Sequence, residues 1–356
     1  MILAGGSGTR LWPLSRAALP KHLAPLAPDG RSLLRHAYER AERLGGVVLV
    51  VTARDQVPQV LAELPELDPS LVLAEPEPRG TGPALAWAAS WALAHEPEAV
   101  LVSLHADHYL PDLEATEQAL AWAASWAKSS QLLVAIGVEP RHPTTGYGYI
   151  RLGAAVSAPE GLDDAPPVFW GTFAEKPDRA QAEAMLRQGG HLWNTGLFAW
   201  PAALFLAELA RYAPQVAGPV GEAAALETGG DFARAWSRVP PGVVERLVLE
   251  RSQRMAALPT DLAWTDLGSF LDLHQVALAA GRGDAEDNVV TGDALLLGSR
   301  DNFVESAGAR LVALVACQGM AVVDGPDALL VCPLDRVQEV SQLVQEMRRQ
   351  GRRQVL

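Results

Sequence analysis

A glycine-rich turn with two nearby cations is the part of the sequence best suited to chemistry. The chain opens on an apolar run at 1–4 and continues as GGSGTR at 5–10. Glycines that follow a parallel strand let backbone N–H groups approach phosphate oxygens closely. Arg10 and Lys21 flank the turn, and Pro20 restricts the backbone before Lys21. This arrangement fits a triphosphate, on which negative charge builds during transfer. A solvated turn with ordinary surface cations is the alternative.

The turn matches neither of two common nucleotide motifs. No Gly-Lys-Ser/Thr follows at the spacing of a Walker loop. A dinucleotide fingerprint that uses Gly6 and Gly8 needs a third glycine at position 11, where Leu11 stands. A dinucleotide-dependent oxidoreductase is therefore disfavoured.

Two aspartates are candidate ligands for a metal cation. Asp107 follows the apolar run 99–104, and a carboxylate at the end of a central strand faces the ligand crevice of an α/β sheet. Asp266 lies in WTDLGS at 264–269. Carboxylate oxygens suit Mg²⁺, which usually takes one or two of them together with substrate phosphate. Each aspartate also reads as a helix N-cap, and their spacing alone does not pair them.

Two further segments carry groups that suit a phosphorylated sugar. The Glu175 carboxylate can accept hydrogen bonds from vicinal hydroxyls, and the adjacent Lys176 can neutralise a phosphate. Asn194 offers one acceptor and two donors, which also suits a hydroxyl group. A surface ion pair and a strand entrance are the respective structural alternatives.

The elements that must position these residues follow an α/β pattern over the first 140 residues. Continuous apolar strands that alternate with helices indicate a parallel sheet covered on both faces, with ligands at the carboxyl ends of the strands. Strands are predicted at 46–52, 71–74, 99–104 and 132–138, and helices at 32–44, 56–64, 83–95 and 113–128. Further along, strands are predicted at 147–152 and 168–174, and helices at 179–188, 202–210 and 243–251.

The C-terminal part of the chain has a different pattern. The segment 282–288 is charged, contains two glycines and reads as a linker. Beyond it, short strands separated by turn residues precede an amphipathic helix at 335–349, which indicates a small all-β unit and is compatible with a few coils of a β-helix. The strands are predicted at 289–290, 294–297, 302–305, 311–316, 320–323 and 328–331. We therefore expect one domain at 1–281 and a second at 287–356.

Composition excludes several classes of protein. The 356 residues include 29 basic and 42 acidic ones, a net charge of −13, which argues against coating nucleic acid or an anionic membrane. Cys317 and Cys332 form no zinc motif and no disulfide framework, so a reducing cytoplasm is expected. The sequence contains no 18-residue apolar run, and we expect no signal peptide. The short first strand suggests that the true start lies a few residues upstream.

Several motifs together resemble one family. LAGGSGTRLWPLSR at 3–16, followed by PKH at 20–22, closely resembles the signature of the sugar-1-phosphate nucleotidyltransferases, and LWPLSR at 11–16 resembles their mannose-1-phosphate guanylyltransferase branch. The resemblance extends over about 1–350, so we expect these 356 residues not to include the isomerase domain to which the family's transferase is fused. Further matching segments are ADH at 106–108, EKP at 175–177, WNTGLF at 193–198, WTDLGS at 264–269 and the tail at 322–333.

The resemblance implies a fold, a reaction and a set of site residues. The fold is a Rossmann-like doubly wound mixed sheet of the nucleotide-diphospho-sugar transferase type, with a small C-terminal β-helix-like domain. The reaction is transfer of GMP from GTP to mannose-1-phosphate with Mg²⁺, which gives GDP-mannose and pyrophosphate. Arg10, Lys21 and Lys176 are implied as catalytic; Leu3, Ala4, Gly5, Gly6, Gly8, Thr9, Thr81 and Asp107 as nucleotide-binding; Gly146, Glu175, Lys176 and Asn194 as sugar-phosphate-binding; and Asp107 and Asp266 as metal ligands.

Departures from the family pattern keep alternatives open. GTGP at 80–83 replaces the family's Asn-Thr-Ala-Pro near the base, so selection of guanine is not fixed, and Thr81 also reads as a helix N-cap. His105 replaces a proline. Another pair, such as glucose-1-phosphate with UTP, dTTP or ATP, is the first alternative. A catalytically inactive regulatory subunit that binds sugar nucleotides is the second. A homodimer joined through the β tail is compatible with the sequence.

Overall fold

The chain divides by its contacts into two compact units. The computed structural model describes residues 1–6, 8–162, 164–226, 229–308 and 310–356, with the backbone alone for Arg353, so Ser7 of the glycine-rich turn lies outside the described residues. The first unit comprises Met1–Gly5, Ala37–Ala106 and Leu110–Trp264, and the second comprises Gly6–His36, Asp107–Tyr109 and Thr265–Leu356.

A nine-stranded mixed sheet forms the centre of the first unit, as the family resemblance implied. Its strands lie in the order β3-β2-β1-β4-β8-β5-β9-β7-β6. The first four of these pair in parallel, whereas β8 runs antiparallel to β4 and β5. The strands are β1 (Ile2–Ala4), β2 (Val50–Ala53), β3 (Val72–Glu75), β4 (Val100–His105), β5 (Leu133–Val138), β6 (Tyr149–Ala155), β7 (Phe169–Ala174), β8 (His191–Pro201) and β9 (Met255–Thr260).

Helices surround this sheet and bury its apolar strands. Asp112 caps the long helix of 18 residues by accepting a hydrogen bond from the backbone N–H of Ala115, and Asp178 and Gln181 form a capping box at the next helix. The helices are α1 (Leu33–Arg43), whose start belongs to the second unit, α2 (Val57–Glu63), α3 (Thr81–His95), α4 (Leu113–Ser130), α5 (Arg179–Gln188), α6 (Ala202–Tyr212), α7 (Pro214–Ala224) and α8 (Gly230–Trp236).

The second unit contains a β-helix-like stack, as the family resemblance implied and as the short predicted strands allowed. Three strands pair in parallel in one sheet, two pair in parallel in another, and the last strand runs antiparallel to its neighbour. Val304, Leu314 and Val322 fill the space between the two sheets. The elements are α9 (Phe270–Ala279), β10 (Val289–Thr291), β11 (Ala294–Leu297), β12 (Phe303–Ser306), β13 (Val312–Val315), β14 (Met320–Asp324), β15 (Leu329–Pro333) and α10 (Val340–Arg349).

The core of the second unit joins the start of the chain to its end. Leu11 and Trp12 belong to one apolar cluster with Phe270 of α9, Val323 of β14 and Val344 of α10. The Trp12 indole N–H also donates to the carbonyl oxygen of Val355 at 2.6 Å. The segment that follows the glycine-rich turn is therefore packed against the C-terminal β elements. No helix in the described part of the chain combines the length and apolarity of a membrane span.

Candidate active site

Lys21 is the centre of a cluster of charged groups in the second unit. The residue is 5% exposed, and its ammonium lies 3.0 Å from a carboxylate oxygen of Asp107. The same ammonium donates to the backbone carbonyl of Asp266. Residues 86 and 245 positions from Lys21 therefore meet one cation. The N-cap interpretation is wrong for both aspartates, because Asp112 caps α4 and Ser269 caps α9.

Gly8 makes room for Lys21. Its φ of +53° lies in the left-handed region, and a Cβ at this position would lie 2.5 Å from Cβ of Lys21 and 2.8 Å from Oγ of Ser15. The Ser15 hydroxyl in turn donates to the Gly8 carbonyl. A side chain at position 8 would displace Lys21, so glycine is required here for both conformation and space.

Arg10 lies near the carboxylate of Asp266, whereas Lys21 contacts the backbone carbonyl of that residue. Its guanidinium is 3.7 Å from the Asp266 carboxylate and donates to the side-chain oxygen of Gln338 at 3.3 Å. A Cβ on Gly268 would lie 3.1 Å from this guanidinium, so the glycine lets Arg10 lie against the backbone. Gly268 belongs to the WTDLGS motif, whereas nothing in the sequence singles out Gln338, which carries no charge and lies in no matching motif.

The remaining predicted residues of the turn fall in both units. Leu3 and Ala4 are buried in β1, and Gly5 ends that stretch of the first unit. Gly6 has a φ of +109° with open space where a side chain would be, and Thr9 begins a short 3₁₀ turn in the second unit.

His22 adds a neutral group beside this cluster. It is 1% exposed, and neither ring nitrogen has a hydrogen-bond partner among the described residues. Burial lowers the pKa of His22 to about 4, with the Asp107 carboxylate opposing and the Lys21 ammonium adding to that shift. The imidazole is therefore uncharged near neutral pH and adds no positive charge to that of Lys21 and Arg10.

Glu175 and Lys176 are adjacent in the first unit, but their side chains differ in exposure to solvent. Their charged groups are 3.2 Å apart, yet the Glu175 side chain is 8% exposed and the Lys176 side chain 55% exposed. Lys176 has a φ of +49°, which is uncommon for any residue with a side chain. The turn at Lys176 therefore places an accessible cation next to a buried hydrogen-bond acceptor.

The predicted sugar-binding residues surround Glu175. A Cβ on Gly148 would lie 2.9 Å from a Glu175 carboxylate oxygen, and the Gly148 carbonyl accepts the backbone N–H of Asn194 at 2.8 Å. The Asn194 side-chain oxygen accepts the N–H of Gly196 at 3.1 Å, which orients its amide. Gly146 is exposed and donates to Oγ1 of Thr144, so it forms part of the turn before β6. The Glu175 carboxylate, the Gly148 backbone and Asn194 are thus close neighbours.

Thr81 is placed by a different contact from the one expected. The interpretation of Thr81 as the N-cap of α3 is wrong, because Gly80 occupies that position with a φ of +89°. Thr81 Oγ1 instead accepts the backbone N–H of Val244 at 3.0 Å.

The aspartates near Lys21 have the donor chemistry that a divalent cation requires. Both offer partly exposed carboxylates, with side-chain exposures of 29% for Asp107 and 23% for Asp266. Hard cations such as Mg²⁺ prefer such oxygen ligands and keep sites open for substrate phosphate. The residues present therefore fit a divalent cation.

Comparisons with known proteins agree with this organisation. The family described as "Nucleotidyl transferase" matches residues 1–282, and the "MannoseP isomerase/GMP-like beta-helix domain" matches residues 288–347. The Escherichia coli (strain K12) protein named "Mannose-1-phosphate guanylyltransferase" is 34% identical over 366 residues, which cover 99% of this chain and 74% of that protein. "Xanthan biosynthesis protein XanB" of Xanthomonas campestris is 34% identical over 99% of this chain and 73% of its own length.

A solved structure is similar over nearly the whole chain. The crystal structure described as mannose-1-phosphate geranyltransferase from Thermus thermophilus is 32% identical with a TM-score of 0.82, and the match covers 98% of each chain. The chain belongs to the nucleotidyl transferase family. Within that family it carries the C-terminal β-helix domain found in the mannose-1-phosphate branch.

Proposed function

We propose that this chain is a mannose-1-phosphate guanylyltransferase, which transfers GMP from GTP to mannose-1-phosphate and releases pyrophosphate. The observation that carries the proposal is the buried Lys21 ammonium, held by Asp107 and Asp266 directly behind the glycine-rich turn. The similarity of 99% of this chain to a protein named "Mannose-1-phosphate guanylyltransferase" supports the choice of substrates.

The reaction is limited by charge crowding between two phosphates. An oxygen of the sugar phosphate attacks the α-phosphorus in line, and it needs no general base because it is already an anion. Catalysis then depends on orientation and on cations placed where charge builds. Arg10 and Lys21 take this role toward the triphosphate and its leaving group. Leu3, Ala4, Gly5, Gly6, Gly8 and Thr9 would bind the nucleotide, and Thr81 would lie near the base.

The second substrate is assigned to the residues around Glu175. Its carboxylate and the amide of Asn194 bind sugar hydroxyls, and the Gly146 backbone contributes a further contact. The accessible Lys176 ammonium binds the sugar phosphate and offsets its charge as it approaches another anion.

Mg²⁺ would be held by Asp107 and Asp266. When bound, it neutralises phosphate charge and helps to orient the α-phosphate for attack. In the protein alone, the Lys21 ammonium offsets the charge of the Asp107 carboxylate, and the Arg10 guanidinium lies 3.7 Å from the Asp266 carboxylate.

The wider setting follows from the same proposal. We assign catalysis to residues 1–281 and the β domain to residues 287–356, which the family boundaries at 282 and 288 support. Cys317 and Cys332 are unpaired thiols in the described structure, which favours a cytoplasmic enzyme. Its partners would be the two substrates rather than nucleic acid or membrane, and a homodimer is compatible with it.

A pyrophosphate-release assay across nucleotides and sugar phosphates tests the function. We expect the highest kcat/KM for GTP with mannose-1-phosphate, and activity that is lost when EDTA removes divalent metal. Preference for glucose-1-phosphate with UTP, dTTP or ATP would establish the alternative pair. Binding of GDP-mannose without any turnover would instead indicate a regulatory subunit.

Two substitutions test the placement of the site. Lys21→Ala and Asp107→Asn should each lower kcat by about 100-fold or more, because the first removes a cation next to the reacting phosphates and the second removes a proposed metal ligand. Lys128→Ala, on the exposed face of α4, is the matched control and should keep the activity of the unaltered chain. Folded variants with near-normal turnover would show that the site lies elsewhere.

A further inference from the structure

A short π-helix in the first unit contacts both the Thr81 turn and Glu175. It spans Glu245–Leu249 and is followed by Glu250, and with the preceding loop it forms what we call the 242–250 segment. Single π-helical turns are rare and often mark functional sites. No residue of this segment has a role in the mechanism above.

One end of the 242–250 segment is fastened to the turn that carries Thr81. The backbone N–H of Gly242 donates to the carbonyl of Arg79 at 2.9 Å, and that of Gly82 donates to the Gly242 carbonyl at 3.0 Å. The N–H of Val244 donates to the Thr81 hydroxyl at 3.0 Å. These three hydrogen bonds fix where the π-helix begins.

The other end is fastened to the Glu175–Lys176 turn. A carboxylate oxygen of Glu250 accepts the backbone N–H of Glu175 at 3.0 Å, across 75 positions of sequence. This N–H lies immediately before Lys176, whose φ of +49° costs about 1 kcal/mol for a residue with a side chain. A conformation with that cost persists only where neighbouring contacts hold it, and the Glu250 bond is such a contact.

Glu245 of the 242–250 segment also affects the net charge around Lys176. Burial raises the pKa of Glu245 to about 7, and the Glu175 and Glu250 carboxylates add to that shift while Lys176 opposes it. Glu245 therefore carries less than a full charge near neutral pH. This limits the negative charge around the ammonium that must meet an anionic substrate.

We propose that Glu250 is a positioning residue for the sugar phosphate, acting through the backbone of Glu175 to keep the Glu175 carboxylate buried and the Lys176 ammonium accessible. The inference rests on the proposed function, since it concerns how that substrate is held. It assigns no contact between Glu250 and substrate. The residue acts as a hydrogen-bond acceptor, so a neutral acceptor of the same shape should preserve the effect.

Steady-state kinetics of two substitutions test this inference. Glu250→Ala should raise KM for mannose-1-phosphate about tenfold, the equivalent of one lost hydrogen bond to a charged acceptor. KM for GTP should stay within about twofold, because the triphosphate is assigned to other residues. Glu250→Gln keeps an acceptor oxygen and should lie within about threefold of the unaltered enzyme. Glu222→Ala, an exposed carboxylate on α7, is the matched control and should change neither constant.

Hydrogen exchange provides a readout that does not depend on turnover. In the full chain, the amide of Glu175 should exchange faster in Glu250→Ala and at the normal rate in Glu250→Gln, with the melting temperature of both variants nearly unchanged. The inference is overturned if the alanine variant keeps both the protection and the sugar-phosphate KM. It is also overturned if KM for both substrates rises equally, or if glutamine is as damaging as alanine. Absence of turnover in the unaltered enzyme would refute the proposed function alone.

Discussion

At the scale of single residues, Gly8 controls the position of the catalytic lysine. We predict that Gly8→Ala lowers kcat/KM by about 100-fold or more, because the new methyl group would lie 2.5 Å from Cβ of Lys21 and push the ammonium off Asp107 and Asp266. The unfavourable φ should also cost about 1 kcal/mol of stability. Steady-state kinetics and chemical denaturation measure the two effects separately.

Gly30→Ala is the matched control for that substitution. Gly30 also has a positive φ, +77°, but nothing lies within 4 Å of the position where its Cβ would be. It should therefore lose a similar amount of stability and keep its turnover. Equal losses of activity in the two variants would mean that backbone strain, not displacement of Lys21, explains the effect.

The use of lysine is itself a signal that sequence reasoning did not exploit. The chain has 29 basic residues, of which 26 are arginine, and its lysines are Lys21, Lys128 and Lys176. Two of the three are the proposed phosphate-binding cations. A compact ammonium fits the buried site of Lys21 behind Gly8, where the larger planar guanidinium would not. The motifs identified both lysines, but Glu250 and Gln338 were missed because their roles depend on distant partners.

At the scale of elements, Glu75 at the end of β3 makes the free energy of unfolding depend on pH. Burial raises the pKa of Glu75 to about 7, although its carboxylate accepts the backbone N–H of Arg79. The folded state then holds a proton that the unfolded state has released, so this residue's contribution to stability falls as pH rises from about 4.5 to about 7. Glu75→Gln, neutral at all pH values, should gain up to about 3 kcal/mol over the unaltered chain between pH 5 and pH 8.

Urea denaturation at the two pH values measures that difference. Glu77→Gln is the control, since the Glu77 side chain is 66% exposed and lies two residues further on. A constant difference between Glu75→Gln and the unaltered chain at all pH values would contradict the assignment. So would an equal gain in the control.

Elements with continuous apolar or amphipathic patterns were predicted well, and those with breakers were not. The prediction of a helix at 179–188 is confirmed by α5, and the six short strands beyond residue 288 are all present. The predicted strands and helices do not include α7, α8, β8 or β9. Pro219 with two glycines in α7 and Pro259 in β9 are turn signals. Their partners compensate: Val216 and Val220 of α7 enter the core, and β9 pairs along its whole length with β5.

At the scale of the molecule, the stretch 11–16 gains a structural meaning. It is the part of the signature that points to one branch of the family, which suggests a role in substrate choice. Its contacts in the second unit are with the C-terminal elements: Trp12 binds the carbonyl of Val355, and Arg16 pairs with Asp327 at 2.6 Å. The stretch 11–16 therefore connects the glycine-rich turn to the β domain that supports it. The sequence alone could not reveal this role, because the partners of Trp12 and Arg16 lie more than 300 positions away.

This support predicts that the β domain is required for catalysis even where it touches no substrate. Val344→Ala in α10 should destabilise the second unit by about 2 kcal/mol and accelerate hydrogen exchange in residues 6–36, because Val344 shares its core with Leu11, Trp12 and Phe270.

Ending the chain at residue 286 should lower turnover by about 100-fold or more, since Lys21, Arg10 and Asp266 lose the core that holds their segments. Leu297→Ser in β11 is the control and should leave hydrogen exchange and turnover unchanged, because the Leu297 residue is 69% exposed. A truncated chain with normal turnover would show that the cations are positioned without the β domain.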